Sequence, residues 1–399
     1  MTIGVKYIAY GNSSGYGLTA IAYARALHNA GVPVWWQPWF LGPRPEMWRA
    51  EDGLARLPLG RAAEGDAALA DLPSLVAALT RPIAYDTVLV HTVPEHWPRF
   101  IEVGKRAVGY TAWETDAVPS HWPELLNAMD AIAVPSRQNA EVFVRGGVTV
   151  PVHVVPHIRR HAWSDTARDD AIALRLRLRV PDDHFVFYSI AAWDPRKALG
   201  DLVATFVRTF SAQDRVTLLI KTSAAVSNAA EGGGMPVEGA LREIARAAQP
   251  GAGREPPNFA VIAADDISGR TLDAIHALGD CFVSLSHGEG WGMGAFDAAA
   301  GGKPVLMTGW GGQLDYLGAD YPGLIDYRRV GVSGWLPHAS YQPTQSWAAA
   351  DPGHAAALMR AAVAREPRLL EAAAATREAI ANRYAEPVVA RQLVAALDG

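Results

Sequence analysis

The chain has 399 residues, of which 36 are Lys or Arg and 41 are Asp or Glu, for a formal net charge of −5, and half of all residues are hydrophobic. That length exceeds one ordinary core and sets two domains as the expectation. The acidic balance argues against a nucleic-acid binder, no window is apolar enough for a membrane span, and the single cysteine, Cys281, excludes an internal disulfide and reads as a small buried hydrophobe.

In chain order, strands and helices are predicted to alternate throughout, the pattern of parallel sheets covered on both faces. VKYIAY runs into the glycine-rich loop GNSSGYG and an amphipathic helix stopped by Gly31, and VPVWWQPWF is the next strand. An opening strand and loop is not a signal peptide, so the cytoplasm is the expected location. DTVLVH, KRAVGYT, DAIAVPS and VHVVPH read as further strands, completing a first Rossmann-like domain over residues 1–160. RRHAWSDTARDD is polar and charged, as a linker should be. HFVFYSIAAW, RVTLLIKTS, NFAVIAA, CFVSLS and PVLMTGW mark a second alternating series over 161–378, and RYAEPVVARQLVAALDG is a terminal helix, 379–399.

Ser286 to Leu306, SHGEGWGMGAFDAAAGGKPVL, packs a strand end, a glycine-rich turn, a helix start and two spaced carboxylates into one segment. Gly288, Gly290, Gly292 and Gly294 allow a close backbone approach to a ligand, and the unpaired N–H groups of Gly292, Met293 and Gly294 mark an anion site at the helix start. In AWDPRKAL, Arg196 and Lys197 follow a strand and precede a helix, and Lys221 ends the next strand, LLIKTS. Only five lysines occur, at 6, 105, 197, 221 and 303, so two near strand ends are notable. A compact ammonium there suits a pyrophosphate leaving group. Lys303 reads as a solvated turn residue.

The 286–306 segment resembles the signature of the retaining glycosyltransferases of family 4, in which a Glu and a second Glu eight positions on flank a Gly-Phe-Gly-like turn. Glu289 matches the first acid, Trp291 the aromatic, and GGKPV the closing turn, while Asp297 stands where the second Glu is expected. The resemblance implies the GT-B fold: two Rossmann-like domains facing a central cleft, with a C-terminal helix crossing back to the first. It implies that Glu289 contacts donor-sugar hydroxyls, that Arg196 and Lys197 grip the donor diphosphate, and that Asp297 holds the ribose. Aspartate is one methylene shorter, which makes that contact looser or water-bridged. His287, Gly290, Trp291, Gly292, Met293, Gly294 and Lys221 complete the expected donor contacts, with Gly15 and Gly17 of the first loop.

TAWETDAVPSHWPELLNAMDAIAVPS also resembles a subgroup of these enzymes, through Trp113, Glu114, Pro119, Trp122 and Ser136, and so do LIDYRR, the Trp347 region and HAAALMR. The resemblance thereby covers nearly the whole chain. Relatives place a His near the anomeric carbon; here Glu114 or His91, at the end of VLVH, takes that place, and for each a catalytic and a structural reading stand open. Gly11, Gly15 and Gly17, with Asn12, Ser13 and Ser14, offer contacts to phosphate or acceptor hydroxyls, but their spacing is not the dinucleotide fingerprint. Trp35, Trp36, Trp39 and Trp48 suit packing better than sugar stacking.

Other constellations fall away. His153, His157 and His161 recur every four residues, but VHVVPH is β-patterned and contains Pro156, so no metal face forms. No Asp-x-Asp ends a strand; the Asp pairs starting at 169, 182 and 265 fall in polar loops, and neither a G-x-S-x-G elbow nor a Walker loop is present. The expected activity is metal-independent transfer of a sugar from a UDP- or GDP-sugar to a sugar or glycan acceptor, by front-face attack with retention. The resemblance places it in bacterial glycan biosynthesis. No cofactor is expected, since the nucleotide sugar is a substrate; peripheral membrane contact and oligomeric state stay open. Two alternatives remain, a nucleotide-sugar epimerase of the same fold and a non-catalytic nucleotide-sugar binder.

Overall fold

A computed structural model describes residues 4–40, 46–47, 69–160, 163, 166–224, 236–249, 251, 255–333 and 339–398. The chain divides into two compact units, residues 1–161 with 380–399, and 162–379. His161 and Trp48 lie outside the described residues.

The first unit contains β1 (Val5–Tyr10), α1 (Gly15–Asn29), β2 (Val34–Phe40), β3 (Glu46–Met47), α2 (Leu72–Leu79), β4 (Thr87–His91), β5 (Arg106–Tyr110), α3 (Trp122–Asn127), β6 (Ala131–Val134), α4 (Arg137–Arg145) and β7 (Val152–Val154). Its sheet runs β3-β2-β1-β4-β5-β6-β7, parallel except for β3. The apolar runs of β1 and β4 are buried on both faces, as central strands of a covered parallel sheet must be. Gly109 on β5 leaves the space that the Trp97 ring fills.

The second unit contains α5 (Ala167–Arg177), β8 (Phe185–Ile190), α6 (Leu199–Thr209), β9 (Val216–Thr222), α7 (Val237–Ala247), β10 (Asn258–Ala263), α8 (Gly269–Leu278), β11 (Cys281–Ser284), α9 (Met293–Ala300), β12 (Val305–Thr308), α10 (Leu314–Leu317), β13 (Leu324–Ile325), the antiparallel pair β14 (Tyr327–Gly331) and β15 (Ser346–Ala350), and α11 (Pro352–Val363). Its main sheet runs β10-β9-β8-β11-β12-β13, all parallel. Cys281 is buried within β11, and burial pushes its thiol pKa up. Helix α12 (Pro367–Arg383) leads to α13 (Glu386–Asp398), which returns to the first unit and packs on α1 and β6, burying Val389, Leu393, Ala396 and Leu397 in that core. No helix among the described residues is long and apolar enough to cross a membrane.

Three local expectations need correction. The end of the expected linker, ARDD, opens α5: Asp169 and Asp170 sit in its first turn, where the helix dipole favours negative charge, and Asp170 takes a bidentate pair from Arg270 of α8 at 2.6 Å. Lys303 is not a solvated turn residue. It donates to the Gly279 carbonyl at 2.6 Å, just beyond the C-terminus of α8 where unpaired carbonyls gather, with its ammonium over Trp163. The β14–β15 hairpin has no counterpart among the predicted strands.

Candidate active site

In the second sheet the strand order reverses between β8 and β11, so their following loops part and leave a crevice at the carboxyl edge, where ligands of such sheets bind. Both loops carry the charged residues singled out above. After β8, Asp194 accepts the Arg196 N–H at 2.8 Å and starts a short 3-10 turn, Pro195–Lys197. Ala198 then adopts a left-handed φ of 48°, a costly conformation for alanine, before α6 begins. After β11 the chain passes Ser286, His287 and Gly288 to Glu289.

The two loops meet at Glu289. Lys197 Nζ donates to both carboxylate oxygens, at 2.6 and 2.7 Å, Arg196 Nη1 lies 3.4 Å from Oε2, and Ser286 Oγ donates to Oε1 at 2.8 Å. Arg196 also donates to the Gly288 carbonyl at 2.7 Å, and the His287 N–H donates to the Arg196 carbonyl at 2.7 Å. Burial acts to raise the Glu289 pKa, but Lys197 and Arg196 outweigh it and hold the carboxyl below the usual carboxylate range. The result is an ionised acid and two cations at one point of the crevice.

Gly292 caps α9 with a left-handed φ of 86°, which favours glycine. A side chain on Gly294 would come within 3.2 Å of the Ile190 carbonyl at the end of β8, a tight contact that would require a shift of a few tenths of an ångström between helix and strand. Met293 and the two glycines are half-buried, at the helix start; Gly290 is buried. Trp291 points inward, with its ring 5.2 Å from both Phe296 and Tyr316. The indole therefore anchors the turn from inside the unit. Asp297 is also buried, within α9; the Tyr188 pKa is raised chiefly by burial, with Cys281 and Asp297 adding to it. Lys221 is the penultimate residue of β9, opposite Ile190 of β8; burial lowers its pKa against the pull of Asp265 and Asp266.

The remaining expected residues belong to the first unit. His91 is 1% exposed. It bonds Tyr7 Oη at 2.7 Å through Nδ1, with the Tyr110, Tyr16 and Tyr23 rings at 4.2, 5.4 and 5.9 Å. Burial, then the nearby His157, drive its pKa well down. His91 is thereby enclosed by aromatic side chains of β1, α1 and β5 within its own unit. Glu114 is half-buried in the loop after β5, near enough to Tyr16 to help push that phenol up to about 12, chiefly an effect of burial. Gly15 opens α1, capped by Ser14; a side chain on Gly17 would collide with the Asn12 carbonyl, so its bareness serves the packing of helix on loop. His157 bonds Thr19 at 2.7 Å, and Trp36 and Trp39 are buried. Among the described residues no cluster of His, Cys, Asp or Glu is arranged to hold a metal.

A search against protein-family models finds no match, and none of the curated proteins matches in sequence. Solved structures do match. HepE of Anabaena, in complex with UDP and glucose, is 14% identical with 99% of each chain covered and a TM-score of 0.61. Sucrose-phosphate synthase from Thermosynechococcus elongatus is 15% identical over 98% of each chain at a TM-score of 0.60, and trehalose-6-phosphate synthase OtsA is 12% identical over 99% of each chain at 0.58. The fold is GT-B. At these identities the likeness is one of fold alone, two Rossmann-like α/β units over full length.

Within this GT-B chain, sequence reasoning missed Ser286 as a site residue and the role of Trp347 and Ala348 beside His287. Ser286 is 1% exposed, and its position directly after an apolar strand was the available signal. LIDYRR and the Trp347 region stood out only as parts of the resemblance, and their contact with His287 was not legible because it joins residues 60 positions apart.

Proposed function

We propose that this protein is a glycosyltransferase that moves a sugar from a nucleotide sugar to an acceptor hydroxyl, without a metal and with retention at the anomeric carbon. The observation that carries the reading is the meeting of Glu289, Lys197 and Arg196 at the strand-order reversal of the second sheet, beside the N-terminus of α9. In this reading Arg196, Lys197 and the α9 amides stabilise charge on the departing diphosphate, a preorganised electrostatic contribution. Glu289 accepts from sugar hydroxyls, Lys221 adds positive charge at the next strand end, and Asp297 reaches the ribose through a looser contact. The complex of HepE with UDP and glucose supports a nucleoside diphosphate sugar as the class of donor.

A thermal-shift panel of UDP-, GDP-, ADP- and dTDP-glucose tests the reading, since a ligand binding only the native state raises apparent stability by mass action. Turnover follows, with and without simple sugar acceptors. Transfer requires acceptor, epimerisation does not, and a non-catalytic binder gives neither; no shift with any of the four removes the donor assignment.

A further inference from the structure

The loop that carries Glu289 is gripped from outside the main sheet. His287 donates its Nδ1–H to the Ala348 carbonyl at 2.8 Å, and the Ala348 N–H returns to the His287 carbonyl at 2.8 Å. A carbonyl can only accept, so this contact assigns the proton to Nδ1 and fixes the ring's orientation. The imidazole also stacks on Trp347, with centroids 5.0 Å apart and planes 24° apart. Ala348 and Trp347 belong to β15. Its partner β14 supplies the other hold: Arg329 lies 4.9 Å over the Trp310 ring, and two residues on, the Gly312 N–H donates to the Glu289 carbonyl at 2.8 Å.

The hairpin thus holds the loop directly at His287, two residues before the acid, and reaches the acid's own carbonyl through Trp310 and Gly312 of the loop after β12. Trp347 and Ala348 of β15 are buried against this loop, whereas Tyr327, Arg328 and Arg329 on β14 are exposed, so β15 is the strand that packs on it. A two-stranded hairpin is marginal alone and takes its order from such packing. The four donor contacts on the Glu289 carboxylate, from Lys197, Arg196 and Ser286, come from the facing loop and from the same segment. Their geometry depends on where the segment 286–289 is held, and site groups must be placed to within about 0.5 Å.

We propose that the β14–β15 hairpin is a brace that sets the position of the Glu289 carboxylate, with Trp347 and His287 as positioning residues for sugar transfer. The proposal rests on the donor reading above. Trp347→Phe keeps an aromatic ring but shortens the stack. His287→Phe removes the bond to Ala348, and His287→Asn restores a donor near the place of Nδ1.

The test measures release of nucleoside diphosphate from the nucleotide sugar identified by the four-member panel, in the full chain. Trp347→Phe and His287→Phe are expected to lower kcat on the order of tenfold, with KM for the nucleotide sugar changed less than about twofold, because misplacement costs the reacting geometry rather than ground-state binding. His287→Asn recovers most of the loss. In a Glu289→Gln background the Trp347→Phe cost shrinks, since there is no carboxylate left to place. An equal cost in that background, or a loss confined to KM, overturns the brace. Hydrogen exchange provides a readout free of turnover: Trp347→Phe is expected to speed exchange at the Ala348 and Gly312 amides, and unchanged exchange there overturns the brace. If the wild-type chain uses none of the four nucleotide sugars, the donor reading fails while exchange still decides the brace.

Discussion

Lys197→Met removes the ammonium that bonds both oxygens of Glu289 but keeps most of the aliphatic stem, so the change isolates charge from packing. Glu289 is 9% exposed and retains Arg196 at 3.4 Å and Ser286 at 2.8 Å. Breaking a buried pair by removing one partner costs about 3–5 kcal/mol when the other is stranded. Because two donors remain, the cost is expected near the value of one charged hydrogen bond, about 2–3 kcal/mol. That shifts the melting of the second unit by roughly 4–12 °C, at about 2–4 °C per kcal/mol for a unit of this size. The same ammonium is assigned to the diphosphate, so affinity for the nucleoside diphosphate falls by a further 1.5 to 3 kcal/mol or so, about 10- to 150-fold.

The acid side of the profile gives a third readout. The folded-state pKa of Glu289 is depressed, so the unfolded chain binds more protons over that interval. Its stabilising contribution is present above the ordinary carboxylate pKa and is lost as pH falls through the folded value. Without Lys197 the depression diminishes and this slope flattens. Calorimetric melting from neutral to acid pH, with titration by the nucleoside diphosphate that the panel identifies, measures all three. Wild-type melting and wild-type affinity in Lys197→Met would refute the reasoning.

Three further outcomes are expected. Glu289→Gln loses transfer far more than affinity for free nucleoside diphosphate, because a carboxylate meeting sugar hydroxyls acts in the transition state; steady-state transfer beside calorimetric titration checks it, and equal losses would sink it. Turnover survives excess EDTA, the charge on the leaving group being met by Arg196, Lys197 and helix amides; loss of activity restored by magnesium or manganese would contradict this. The buried His157, its pKa lowered to about 3 by burial, makes the first unit acid-sensitive. Below about 6.5 the unfolded chain takes up a proton that the folded chain excludes, so stability falls with pH by up to roughly 1.4 kcal/mol per unit from that residue. Urea titrations at pH 7 and pH 5 should show a smaller drop for His157→Asn than for wild type.

The alternation of apolar strands with helices, and the doubly covered sheets that follow from it, were legible because burial on both faces leaves continuous apolar runs such as TVLVH and AIAV. The glycine-rich turn at 288–294 was legible for a similarly local reason: the left-handed φ of Gly292 favours a residue without a side chain, and a side chain at Gly294 would press on the Ile190 carbonyl. So were the separate chemical characters of Glu289, Arg196 and Lys197. Their pairing was not. Lys197 and Glu289 are 92 positions apart, and only the adjacency of β8 and β11 in the sheet brings them to hydrogen-bond distance. The same holds for His91, whose neighbours Tyr7, Tyr23 and Tyr110 come from three different elements, and for Lys303, which finds the carbonyls beyond another helix. Local sequence determines conformation and polarity because those depend on a residue and its near neighbours. Which charges meet, and which side chains are withdrawn from water, is decided by strand order and by the hairpin's docking, which are properties of the whole fold.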